Sequence, residues 1–197
     1  MTDRLVGAVM LGGRSSRFGT DKALVEVGGT VMGAVAVTAL RGAGIDPVVA
    51  IGGSAGPRLN VITVPDRWPG EGPLAALATI LRWAREGRVL VVPCDVPQLT
   101  PSTATALTAA SDELDRNERL RTAVIATVEG EPVYSVGVWP AEWAGAMRLL
   151  VEGGERRFRA ALDVGPWIGV EVPRLAVADA DTPAELERLL GGRDPEE

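Results

Sequence analysis

Val89-Leu90-Val91-Val92 is a run of apolar residues with no polar alternation. A strand with one wet face alternates apolar and polar side chains, whereas an unbroken apolar run is buried on both faces and needs helices above and below its sheet. Residues 5–11 repeat the pattern, and shorter β-branched runs stand at 47–51 and 61–64. Between them the apolar spacing becomes helical over residues 30–40, stopping at Gly42 and Gly44, and over 74–85, stopping at Gly87. Thr100-Pro101 opens another helix with a cap residue followed by proline. Further strands are predicted over 122–128, 133–139 and 169–172, and further helices over 141–152 and 156–162. Thr182-Pro183-Ala184-Glu185 is a capping box that starts a last helix to Leu190. Such alternation predicts an α/β chain: a three-layer α/β/α sandwich around a mostly parallel sheet.

With 197 residues, 46% hydrophobic and 23% charged, the chain is expected to form a single domain over residues 1–190 with a frayed tail at 191–197. A net charge of −6 argues against a broad nucleic-acid-binding face, so any phosphate must be held by a local basic pocket. No stretch approaches the ~18 apolar residues of a membrane span, and the start lacks the apolar core of a signal peptide. The expectation is a cytoplasmic protein without membrane partners. One cysteine excludes an intrachain disulfide, and the lack of histidine excludes a Ser-His-Asp triad or a Cys/His zinc site.

Ligands of parallel sheets bind beyond the carboxyl ends of the strands, and three predicted strand ends carry chemistry. After the first comes LGGRSSRFGTDK, residues 11–22. Gly12, Gly13 and Gly19 allow close backbone approach to an anion, and Arg14, Arg17 and Lys22 supply charge; Lys22 is the only lysine among 20 basic residues. The spacing matches neither the P-loop nor the dinucleotide G-x-G-x-x-G, and a merely solvated loop is the alternative reading. Asp66 follows the strand at 61–64. Asp95 follows Val89–Pro93, poorly placed for a core and well placed either for a divalent cation or for capping the turn Asp95-Val96-Pro97. Cys94 reads as a buried strand-end residue, having no histidine to activate it. Asp179 and Asp181 precede the last helix. Either acid closes the cation site from another strand end, or Asp181 and Thr182 serve the helix N-terminus.

The segments MLGGRSSRFGTDKALVEVGG, VITVPDRWPGEGPLAAL, VLVVPCDVPQLT, GEPVYSVGVW, GGERRF and DADTPAEL resemble, in order, those of the molybdenum cofactor guanylyltransferases, nucleotidyltransferases of the glycosyltransferase-A-like (nucleotide-diphospho-sugar transferase) fold. The resemblance runs from about Val9 to Leu189. It implies that Met10, Leu11, Gly12 and Gly13 contact the guanine and ribose, that Arg17 and Lys22 face the triphosphate, and that Asp66 touches the nucleotide. Asp95 would bind Mg²⁺, and Arg156 and Arg157 would lie on the pterin side. Asp179 and Asp181, read from the chain itself, are candidates for a second metal or acceptor site. The implied reaction moves GMP from GTP to the phosphate of molybdopterin, with the product passed to a molybdoenzyme or another cofactor-assembly protein.

The chain departs from the family pattern at three places. Leu11 stands where alanine is usual, and an asparagine usual after the second strand is replaced around Ile51 and Gly52. Asp179-Ala180-Asp181 replaces Asn-x-Asn and is closer to the related cytidylyltransferases, whereas the double glycine of the first loop favours GTP. Alternatives are a relative that uses CTP or a sugar phosphate acceptor, and a degenerate nucleotide-binding paralogue that acts as a chaperone.

Overall fold

The computed structural model describes residues 4–11, 18 and 20–191. Among the described residues nine strands and six α-helices follow one another in largely alternating order: β1 (Leu5–Met10), β2 (Glu26–Val27), β3 (Thr30–Val31), α1 (Met32–Gly42), β4 (Val48–Ile51), β5 (Ile62–Val64), α2 (Pro73–Ala84), β6 (Arg88–Pro93), α3 (Pro101–Glu113), α4 (Arg116–Arg119), β7 (Ala123–Val128), β8 (Glu131–Pro140), α5 (Ala144–Glu152), β9 (Trp167–Glu171) and α6 (Pro183–Leu190).

Seven strands form one sheet in the order β5-β4-β1-β6-β8-β7-β9. β5, β4, β1 and β6 run parallel, β8 is antiparallel to both of its neighbours, and β9 is parallel to β7. The apolar runs of the sequence lie at the centre: Val6, Ala8 and Val9 of β1 and Val89, Leu90 and Val91 of β6 have no solvent exposure. Their side chains alternate between two cores. One joins Val6, Ala8, Val89 and Val91 to α2 and α5, and the other joins Val9, Leu90 and Val92 to α1 and α3. Three layers result, as the sequence predicts. In the first core, Trp139 meets Trp143 and Phe158 edge-on with centroids 6.0 and 5.7 Å apart, which ties the segment after α5 to the sheet.

Several boundaries differ from expectation for local reasons. The helix predicted over 30–40 starts at Met32, because Thr30 and Val31 pair with Val27 and Glu26 in a hairpin. Its turn, Gly28-Gly29, has φ of +55° and +85°, open to glycine at no steric cost. The helix predicted over 156–162 is a 3-10 segment, Phe158–Asp163. A short helix absent from the sequence reading, α4, forms where the Asp115 carboxylate accepts from the amides of Asn117 and Glu118, at 2.8 and 3.0 Å.

A third, smaller apolar cluster decides where the site forms. Val27 of the hairpin, Met32 of α1, Leu186 and Leu189 of α6, and Ala180 just before α6 pack together. The Gln98 side-chain amide donates to the Leu189 carbonyl, fastening α6 to the segment that follows β6.

Candidate active site

β1 and β6 are neighbours, so the segments leaving their carboxyl ends leave side by side. The Cys94 amide donates to the Met10 carbonyl at 3.0 Å, and the Leu11 amide donates to the Ile51 carbonyl at 3.0 Å. Met10 and Leu11 are buried, so nearby ligands meet their backbone more readily than their side chains. No side chain could stand at Gly53, where φ is +60° and a Cβ would lie 2.7 Å from Leu11 Cβ. Gly12, Gly13 and Arg17 fall outside the described residues.

Lys22 begins a 3-10 turn, Lys22–Leu24, capped by the Asp21 carboxylate and seated on fully buried Ala23. From that seat the ammonium donates to Asp95 Oδ2 at 2.7 Å and to Asp181 Oδ1 at 2.6 Å. Its side chain is only 12% exposed, against 20% for Asp95 and 54% for Asp181. Burial pulls the Lys22 pKa down, but its hydrogen bonds to Asp181 and Asp95, together with the negative charge of both acids, outweigh it, and the net shift is upward. The group therefore stays an ammonium at neutral pH.

Asp181 arrives from far along the chain by one backbone contact. The Ala180 amide donates to the Asp95 carbonyl at 2.9 Å, and the Ala180 methyl is fully buried in the third cluster. With Ala180 pinned inward, the acids on either side of it project outward. Of the two residues expected at the helix N-terminus, Thr182 caps it through its side chain and Asp181 does not. Thr182 caps α6 by accepting from the Glu185 amide at 3.2 Å, and Glu185 accepts from the amides of Asp181 and Thr182, both at 2.8 Å. The Asp181 carboxylate is thereby released from capping and turns to Lys22.

Asp95, Asp179 and Asp181 each present a carboxylate oxygen within 4.8 Å of the others. Hard oxygen donors in such a group suit Mg²⁺ or Mn²⁺ and not a thiophilic ion. Burial and the neighbouring negative charge of Asp95 raise the pKa of Asp179. Burial, with the same charge second, pushes the Cys94 thiol up to about 12, so it is no nucleophile.

The remaining expected residues stand in two other places. Asp66, half-buried beyond β5, accepts from the Trp68 amide at 3.0 Å and from the Thr79 hydroxyl of α2 at 3.1 Å. Arg156 pairs with Glu71, just ahead of α2, and donates to the Val151 carbonyl at 2.9 Å. Arg157 pairs bidentately with Glu155 at 2.7 and 3.0 Å. Sequence reasoning overlooked a cavity of about 450 Å³ that Asp179 lines together with Val128, Val133, Leu189, Arg174 and Arg188. Arginines spaced on a terminal helix and a connecting turn give no signal before the fold brings them together.

A family model described as the MobA-like NTP transferase domain matches residues 7–165. The chain belongs to that family. It is therefore placed among the nucleotidyltransferases, and curated relatives agree. A probable molybdenum cofactor guanylyltransferase of Carboxydothermus hydrogenoformans is 33% identical over 94% of this chain and 95% of its own length. One from Mycobacterium tuberculosis is 31% identical over 89% of this chain and 85% of its own. Among solved structures, molybdopterin-guanine dinucleotide biosynthesis protein A from Archaeoglobus fulgidus superimposes with a TM-score of 0.73 at 18% identity, covering 94% of this chain and 97% of that one. That likeness speaks for the fold. Among the described residues no helix is long and apolar enough to cross a membrane.

Proposed function

We propose that this chain transfers GMP from GTP to the terminal phosphate of molybdopterin, giving molybdopterin guanine dinucleotide and pyrophosphate. The observation that carries the reading is the convergence of Lys22, Asp95 and Asp181 at the carboxyl edge of the sheet in a chain of this family. An ionised acceptor phosphate attacks the α-phosphorus, the bond to the β-phosphate oxygen breaks, and pyrophosphate leaves. The nucleophile is already charged and needs no general base, in keeping with a chain that has no histidine and whose thiol is held protonated.

What the protein supplies is position and counter-charge. Met10, Leu11, Gly12 and Gly13 take the guanine and ribose, Asp66 touches the nucleotide, and Lys22 and Arg17 face the triphosphate. Asp95, with Asp179 and Asp181, would hold Mg²⁺, which when bound neutralises phosphate oxygens. The sheet order sets Asp95, after β6, between the end of β1 and the cavity beside Val128 of β7 and Val133 of β8. We therefore assign the nucleotide to the β1 side and the acceptor ring to the cavity, where apolar walls suit a planar ring and Arg188, beside the Arg174–Glu129 pair, suits its phosphate. Arg156 and Arg157, the basic pair expected on the pterin side, are the alternative seat for the acceptor. The product would pass to a molybdoenzyme or an assembly protein, and the cytoplasm, where a lone thiol stays reduced, is the compartment proposed.

The deciding experiment measures pyrophosphate release with molybdopterin as acceptor and Mg²⁺ with GTP, CTP or ATP. Acceptor-dependent release with GTP is expected. Preference for CTP would assign the chain to the cytidylyl branch that Asp179 and Asp181 favour, and no release with any nucleotide would leave a binding module.

A further inference from the structure

The Lys22 ammonium lies within 2.7 and 2.6 Å of one oxygen each from Asp95 and Asp181, two of the three carboxylates that converge within 4.8 Å. A cation shared by the three acids would sit against the same two carboxylates. A Mg²⁺ ion reaches its ligands at about 2.1 Å, so ion and ammonium compete for Asp95 and Asp181. Were both present, two like charges would stand a few ångströms apart at a partly buried site, where screening is weak.

We propose that Lys22 is an internal placeholder for the divalent cation: its ammonium occupies the carboxylate site until a nucleotide triphosphate draws it away, so that metal enters with the nucleotide and not before it. The inference rests on the proposed nucleotidyl-transfer reading and deepens it by assigning an order of binding. Three observations carry it. The backbone seat of Lys22 is fixed, since the Val25 amide donates to the Lys22 carbonyl at 3.2 Å and Ala23 is buried, so the exchange requires rotation of a side chain and no loop unfolding. Lys22 is the only lysine in a chain otherwise supplied with arginine. A flexible stem with a compact head can leave a carboxylate pair for a phosphate, whereas a guanidinium would lock bidentately onto one of the acids. Lastly, when the ammonium departs, Asp95, Asp179 and Asp181 are left as adjoining like charges, which favours immediate entry of a cation. Linkage makes the effect reciprocal: whatever factor the nucleotide adds to metal affinity, the metal adds to nucleotide affinity.

The test uses the full chain and Mn²⁺ as the probe, its binding read by electron paramagnetic resonance or calorimetry, without acceptor, in the absence and presence of saturating GTP. Lys22→Met is expected to bind Mn²⁺ without nucleotide roughly tenfold more tightly than the wild type. The ratio of Mn²⁺ affinities with and without GTP should shrink by a similar factor. Equal tightening with and without GTP would mean only that a charge had been removed, and it would overturn the placeholder. So would unchanged or weaker binding without nucleotide. Asp95→Asn separates the two levels: if it abolishes Mn²⁺ binding while Lys22→Met changes nothing, the metal site stands and the placeholder falls. If Asp95→Asn leaves Mn²⁺ binding intact, the site reading itself fails and the placeholder with it. Lys22→Gln, closer in polarity, repeats the measurement should the methionine variant misfold.

Discussion

Lys22 and Arg157 are both cations held by acids, but Lys22 finds its partners 73 and 159 residues away, whereas Arg157 finds Glu155 two residues back. Lys22 is nearly buried and its acids are brought to it by separate elements; Arg157 is 82% exposed and paired with its own loop. A charge cluster assembled across the fold has to be maintained by the packing beneath it. One that closes locally forms in almost any context and contributes little, as exposed pairs generally do. The difference separates a region built to exchange partners from one already neutralised.

Substitutions at the distant cluster should therefore be far more damaging than substitutions at the local pair. Asp95→Asn is expected to lower turnover in the pyrophosphate-release assay by at least about 10³-fold, at the upper end of what one lost transition-state electrostatic contact costs. Lys22→Ala should lower it by about 10²- to 10³-fold; activity within a few-fold of wild type would break the comparison at its strongest point. Ala180→Leu touches no charge yet overpacks a fully buried position, and a loss of about 1–3 kcal/mol in denaturant unfolding is expected. It should weaken Mn²⁺ binding as well, because the Asp179 and Asp181 carboxylates hang from that residue. Between the two basic regions, Arg188→Ala should raise the KM for molybdopterin about tenfold, the loss of one charge-assisted hydrogen bond, with kcat retained. Arg157→Ala should raise it only about two-fold, since Glu155 already neutralises that guanidinium. The reverse order would move the acceptor from the cavity to the Arg156–Arg157 segment.

The smallest effect belongs to Glu155. Hydrogen bonds from the Arg157 side chain and from the Arg157 and Arg156 amides lower its pKa from 4.5 to about 2. A carboxylate lowered on folding stabilises above its unfolded value and loses that contribution as pH falls through the folded one. Glu155→Gln should leave the melting temperature unchanged within a degree or two at neutral pH. Any difference from wild type should fade between pH 4.5 and 2. A large change at neutral pH would show that the local pair does more than its exposure allows.

How much could be read in advance divides along the same line. The helix α6 was legible because its signal is local: Thr182 and Glu185 cap it through atoms three residues apart. The hairpin at Glu26–Val31 was missed because two-residue strands carry no periodicity, and only Gly28-Gly29 hinted at a turn. Asp95 could be singled out by its place at the end of an apolar strand. The contact of Asp181 with Lys22 could not, because its orientation depends on Ala180 being swallowed by the third core and bonded to the Asp95 carbonyl.

By itself the sequence determined the layers, the central strands and the strand ends that carry charge, since apolar period and capping act over a few residues. Tertiary structure alone decided which charges meet: the neighbouring of β1 and β6, the inward pull on Ala180 and the convergence of Asp95 and Asp181 on one lysine. Such meetings depend on packing among segments as much as 159 residues apart, and no local pattern encodes that distance.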